Sequence, residues 1–250
     1  MRILKTQAIV LRYANFKEAD RMLTLLTPGM GRVDAIARGC RKPKSRFLST
    51  SEPFCYGDYV LYKVHNFYIV SQAEVKDIFF DIREDVDKFA YATYILNATE
   101  QAINSNEGNY PLFHLLLSTL TYLAYGSTNP EDIMRIFELK FMDILGYRPQ
   151  VYRCVSCGND LDKNFKFSID QGGLLCPRCY NRTSNGYTIQ MGTIKTMQYI
   201  LEMDMKRMDS LKMSTNTRRE LKKILSNYVV YYLGKNIKSK DFIDKIGDEC

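Results

Sequence analysis

The sequence predicts an α+β protein, with a small five-stranded barrel at the N-terminus followed by an all-helical region that carries an inserted four-cysteine module. Three observations lead there. Between residues 6 and 75, short runs rich in β-branched and aromatic residues alternate with turn residues. After Asp81 the spacing of apolar residues lengthens from two to about 3.6. Between Tyr152 and Tyr180 four cysteines fall into two CxxC pairs.

The predicted strands are residues 6–13 (TQAIVLRY), 21–27 (RMLTLLT), 32–38 (RVDAIAR), 58–64 (DYVLYKV) and 67–75 (FYIVSQAEV). Gly29-Met30-Gly31 and His65-Asn66 supply turn chemistry for hairpins between neighbouring strands. Five strands in some 80 residues fit a small closed barrel, and the oligonucleotide-binding OB-fold is the commonest architecture of that size. Residues 1–80 are therefore read as an OB-fold domain and residues 81–250 as a helical domain, with the cysteine module at about 151–182.

Ile82, Val86, Phe89, Ala90 and Thr93 follow helical spacing, as do Ile133, Ile136, Phe137, Lys140, Phe141 and Ile144. Residues 111–125 form a further apolar helix between these two. Asn129 is the expected N-cap of the later helix, Pro130 suits its first turn, and Gly146 with Pro149 marks its stop. Thr217 with Glu220 matches a capping box, followed by a stripe of Leu221, Ile224, Leu225, Tyr228, Val229 and Tyr232 that ends at Gly234. Ile194, Met197, Leu201, Met205 and Met208 form another stripe, read as packing core, with an adaptable peptide groove as the alternative.

The 250 residues are 46% hydrophobic and 25% charged, which is ordinary globular usage. No apolar run reaches the length that spans a bilayer, and the first ten residues lack a signal-peptide core, so a cytosolic protein is expected. There most of the seven cysteines stay reduced; clustered ones read as metal ligands, and Cys40, Cys55 and Cys250 as ordinary thiols. The net charge of +7 is unevenly spread. Residues 1–80 hold 13 Lys and Arg against 7 Asp and Glu, so the N-terminal third carries nearly all of the excess and favours a polyanion partner.

Cys154-Val-Ser-Cys157 and Cys176-Pro-Arg-Cys179 are separated by eighteen residues. Two residues between thiolates let both reach one tetrahedral ion, and the gap suits a zinc ribbon or knuckle. At this cysteine frequency a CxxC arises by chance about 0.2 times per chain, so two pairs so close together are not accidental. Phe165, Phe167 and Ile169 alternate, and Gly172-Gly173 can turn the chain back, so a hairpin presents one pair to the other. A redox CxxC requires a βαβ setting that is missing, and four unrelated buried thiols would not pair by spacing. One structural Zn²⁺ is expected: four sulfurs fill the tetrahedron and leave no open position.

Residues 38–46 hold five cations in nine positions, Arg38, Arg41, Lys42, Lys44 and Arg46, with Gly39 and Pro43 marking a loop. Cations strung along a loop suit a phosphate backbone, because each neutralised phosphate releases counterions. The bland alternative is a solvated loop with no partner. Its place on a candidate OB barrel, near Tyr13, Phe16, Phe47, Tyr59 and Tyr62, favours nucleic acid, although such aromatics individually are more often core. Around the cysteines, Arg153, Lys163, Lys166 and Arg178 are candidates for further nucleic-acid contact. There is no GxxxxGK(S/T), GxSxG or HExxH, and His65 and His114 have no evident catalytic partner, so an enzyme is not expected.

The segment AIVLRYANFKEADRMLTLLTPGMGRVDAIARGCRKPKSRF (residues 8–47) resembles the N-terminus of the bacterial RecO family of recombination mediators. The resemblance continues through EPF at 52–54, LGYRP at 145–149 and the CxxC pairs, covering nearly the whole chain. It implies an OB domain followed by a helical domain with a zinc module. It also implies binding of single- and double-stranded DNA, annealing of complementary strands, and action with RecR to load RecA onto DNA coated by single-stranded-DNA-binding protein, in the bacterial cytoplasm at the nucleoid. Carried over by position, the loop cations Arg38, Arg41, Lys42, Lys44 and Arg46 are the expected DNA contacts. The competing readings are an OB-plus-zinc RNA-binding or translation-associated factor, and an enzyme whose zinc keeps an open position.

Overall fold

The computed structural model describes residues 3–160, 164–180, 186–234 and 237. Cys250 and Lys163 lie outside the described residues.

The first five elements are strands: β1 (Ile3–Phe16), β2 (Asp20–Thr27), β3 (Gly31–Ala37), β4 (Tyr56–Val64) and β5 (Phe67–Asp77). They close into a barrel of order β1-β2-β3-β5-β4, with β4 returning to β1. All pairings are antiparallel except the short β3–β5 seam. This mixed five-stranded barrel is the one the sequence predicts, with each strand found where its pattern lies. β1 serves two neighbours because it is long and irregular between Val10 and Arg12: its first half pairs with β4 and its second with β2. Alternate residues fill the interior, among them Val10, Leu23, Leu25, Val33, Ala35, Tyr59, Leu61 and Val70. His65-Asn66 forms the β4–β5 turn, with His65 at a φ of 52°.

Three helices follow: α1 (Phe80–Glu84), α2 (Val86–Ala102) and α3 (Tyr110–Tyr125). The periodicity across residues 82–93 predicts one continuous stripe, but the helix breaks at Asp85. That carboxylate caps α2 by accepting from the N–H groups of Asp87 and Lys88. Val86 and Phe89, both on the expected apolar face, are exposed, while Ala90, Tyr91, Ala92, Tyr94, Ile95 and Leu96 are buried. α2 is covered on several sides, which a single-stripe reading does not anticipate.

The remaining elements are α4 (Pro130–Ile144), β6 (Lys166–Ser168), β7 (Gly173–Leu175), α5 (Pro177–Tyr180), β8 (Tyr187–Thr188), α6 (Met191–Glu202), a 3-10 segment (Met205–Ser210) and α7 (Thr215–Leu233). Asn129 caps α4 with Pro130 in the first turn, and Gly146 follows its end at a φ of 86°. Lys140, part of the predicted α4 stripe, donates from Nζ to the carbonyls of Leu201 (3.0 Å) and Met203 (2.8 Å) at the end of α6. It thereby satisfies acceptors a helix terminus leaves unpaired, and burial pushes its pKa below the ordinary lysine value. α7 is capped by Ser214, which accepts from the N–H of Thr217. The expected Thr217–Glu220 box is not formed; Glu220 instead accepts from the N–H of Gln190. The methionine stripe is packing core, with Met197 and Met208 fully buried.

The described residues fall into two compact units, one within Met1–Tyr125 plus Ile237, the other within Gly126–Asn236. By contact, α1–α3 belong with the barrel, so the unit boundary and the change of period at Asp81 fall at different places in the chain. A backbone-to-backbone fit is among the contacts that join these helices to the barrel. The N–H of Arg32 donates to Asn104 O at 3.0 Å. A Cβ on Gly31 would stand 2.3 Å from Glu107 O, and one on Gly108 2.6 Å from Gly29 O. Only glycine permits such an approach.

Candidate functional site

In the second unit the β6–β7 hairpin turns through Gly172, at a φ of 70°, and carries Leu174 and Leu175 directly into Cys176. The first cysteine pair sits on a knuckle. Gly158 N donates to Cys154 O at 2.8 Å, and Val155 N donates to Leu174 O at 2.7 Å, tying the knuckle to the hairpin. Gly158 adopts a φ of 74°, which a residue with a side chain resists. The second pair brackets the start of α5, where the N–H groups of Cys179 and Tyr180 both donate to Cys176 O.

The four sulfurs of Cys154, Cys157, Cys176 and Cys179 lie within 4.8 Å of one another, so one ion can reach all four. Cys157 Sγ is 3.7 Å from Cys176 Sγ, matching the edge of about 3.8 Å that a tetrahedron of sulfurs around zinc requires. Burial opposes ionisation of Cys154, but N–H groups of Cys176, Cys157 and Ser156 outweigh it and bring the thiol down to about 6. Cys157 gains some relief from the N–H of Asn159, yet its neighbouring thiols, Cys154 foremost, hold it up to about 12. A divalent cation would take the place of the protons that these thiols share, and an all-thiolate set suits zinc. The hairpin's third strand, β8, escapes the sequence reading because two residues carry no periodic signal.

The basic segment forms the connection from β3 to β4 in the first unit. It is pinned at both ends rather than loose. Cys40 is fully buried and Phe47 nearly so, both in the barrel core. Asp20 accepts from the N–H of Gly39 at 2.7 Å, while Lys42, Ser45 and Leu48 donate back to Gly39, Lys42 and Ser45 in successive turns. Arg38, Arg41, Lys42, Lys44 and Arg46 are all exposed. Among the described residues none of the five pairs with a carboxylate.

Arg38, Lys42, Lys44 and Arg46 border one cleft of about 590 Å³, walled on the strand side by Tyr62 and Ser71. Arg46 crosses its edge, donating to Ser71 O at 3.0 Å and stacking on Phe47. Arg41 is turned elsewhere, with Nη1 on Glu18 O and its N–H on Ala19 O beside the β1–β2 turn. Of the five aromatics, Phe47 and Tyr59 are core, and Tyr13 lies under the Arg21 guanidinium, 3.7 Å from the ring centroid. Near the cysteines, Arg153 pairs with Asp160 and Lys166 lies over Tyr180. The pinning residues Asp20 and Cys40 escape the sequence reading; the one local hint is an apolar Cys40 inside a cationic run.

No helix of the described residues is long and apolar enough to cross a membrane. The family model for "Recombination protein O N terminal" matches residues 1–79, and that for "Recombination protein O C terminal" matches residues 83–241. Similar curated proteins span the full length. One from Alkaliphilus metalliredigens is 37% identical over 245 residues, covering 98% of this chain and 100% of its own. One from Bacillus subtilis is 31% identical over 244 residues, covering 98% and 95%. Both are named "DNA repair protein RecO". With both halves matched by the paired family models and relatives aligned end to end, the chain belongs to the RecO family of DNA repair and recombination proteins.

Proposed function

We propose that this protein is a non-catalytic recombination mediator: it binds single- and double-stranded DNA, anneals complementary strands, and acts with RecR to load RecA onto single strands coated by single-stranded-DNA-binding protein. The observation that carries the DNA-binding part is the set of five exposed cations, without carboxylate partners, on the one pinned connection between β3 and β4. Cations held in a fixed array engage phosphates with less ordering cost than a floppy tail. They release condensed counterions as they do so and screen the repulsion between two strands. Annealing and partner action come to this chain from its family.

The metal is read as one structural Zn²⁺. Cys154, Cys157, Cys176 and Cys179 would hold it, and it would fasten the hairpin to the knuckle without supplying a reactive position. Function then rests on the barrel, with the cysteine module bracing the second unit.

The test is strand annealing. Complementary oligonucleotides, bare or coated by single-stranded-DNA-binding protein, are mixed with and without this protein and RecR, and duplex formation is followed in time. Acceleration of coated-strand annealing is expected. Failure to accelerate it, or tighter binding to RNA than to DNA of the same sequence, would favour the RNA-binding reading instead.

A further inference from the structure

We infer that the cleft beside the β3–β4 connection receives an unpaired nucleobase on the ring of Tyr62, while the cations on its rim hold the flanking phosphates. This rests on the DNA-binding reading above and narrows it to single-stranded nucleic acid at this position.

Tyr62 pairs with Ile69 across β4 and β5, so both side chains leave the same, outer face of the barrel. Ile69 is buried beneath the connection and gives the cleft an apolar floor, whereas Tyr62 stays half-buried at its wall. Around them stand Arg38, Lys42, Lys44 and Arg46. An apolar floor, one accessible ring and a cationic rim are the components by which a protein takes one base by stacking and its phosphates by charge. The volume of about 590 Å³ lies within the range of small-ligand sites.

Tyr62 is also the aromatic left free to do this. Phe47 and Tyr59 are buried, the face of Tyr13 is taken by Arg21, and Phe16 sits at the β1–β2 turn with Lys17 over its ring. Among the described residues the Tyr62 ring has no aromatic or cationic partner. Neither does its hydroxyl enter a hydrogen bond there. A base inside a duplex cannot reach the floor without leaving its stack, so the cleft discriminates for single strands.

The chain contains no tryptophan, so Tyr62→Trp places a lone indole in the cleft. Its emission is followed while a labelled oligothymidylate is titrated and binding is read independently by polarisation; inorganic polyphosphate serves as a polyanion without bases. We expect quenching that saturates with the oligonucleotide and is absent with polyphosphate. Tyr62→Ala should weaken single-strand binding about 5- to 150-fold, the range for one stacked base, with an unchanged salt slope, and Tyr62→Phe should bind as the parent does. Normal oligonucleotide binding with an unquenched indole and full affinity in Tyr62→Ala would overturn the stacking site and leave the loop reading standing. Absence of oligonucleotide binding by the unsubstituted protein would overturn both.

Discussion

The sulfurs of Cys157 and Cys176, nineteen positions apart in the chain, lie 3.7 Å from each other. Cys157 is exposed, and Cys176, though buried beside Leu174 and Leu175, follows strands only three residues long. A bound metal ion would supply free energy to hold them together.

Removing the metal should melt this module and leave the barrel folded. Hydrogen exchange of the chelated protein is expected to show lost protection in peptides from 150 to 180 and retained protection in peptides from 3 to 75. Oligonucleotide affinity at matched salt should change little. Undiminished protection around the cysteines would show that the module stands without its ion.

Arg135 and Glu138 form a second test. Their ion pair of 2.5 Å lies on the buried face of α4, with the two side chains 1% and 0% exposed. Glu138→Ala removes the nearer carboxylate from the buried Arg135, which also faces Glu131 at 3.9 Å, and a loss of up to about 3–5 kcal/mol is expected. Replacing both with apolar residues of similar volume should recover most of it. Chemical denaturation measures both; a loss below about 1 kcal/mol in Glu138→Ala would mean that water reaches the pair.

Gly31→Ala should be among the costliest small substitutions in the barrel's unit. The residue has a φ of 60°, and the added Cβ would meet Glu107 O at 2.3 Å, backbone that cannot swing away. Strain and overpacking together predict about 2–4 kcal/mol. Gly234 offers the control, since its φ of 63° is similar but nothing lies within 4 Å of an added Cβ. There only the left-handed cost of about 1–2 kcal/mol should appear. Equal losses at the two sites would refute the close docking of the 29–31 turn.

Much of this was legible in the sequence because the signals are local. Alternation within each strand needs no knowledge of its neighbours, and the two CxxC pairs carry their own geometry. The face of α2 was not legible: Val86 and Phe89 look like core but are exposed, because the elements packed on α2 come from elsewhere in the chain. The cap of α7 was misplaced because Ser214 and Thr217 both have capping side chains, and the partner of Glu220 lies thirty residues upstream at Gln190. The basic run was evident, but its setting was not. Its wall is built by Tyr62 and Ser71 from β4 and β5, and its anchor by Asp20 from β2.

The barrel's part in DNA binding is tested by the salt dependence of single-strand affinity. With Arg38, Arg41, Lys42, Lys44 and Arg46 all replaced by glutamine, the slope of log K against log salt should become shallower by about 3.5 if each cation neutralises one phosphate. A circular dichroism spectrum like the parent's would confirm that the barrel is intact. A folded variant whose slope equals that of the parent protein would contradict the assignment of DNA binding to the β3–β4 connection.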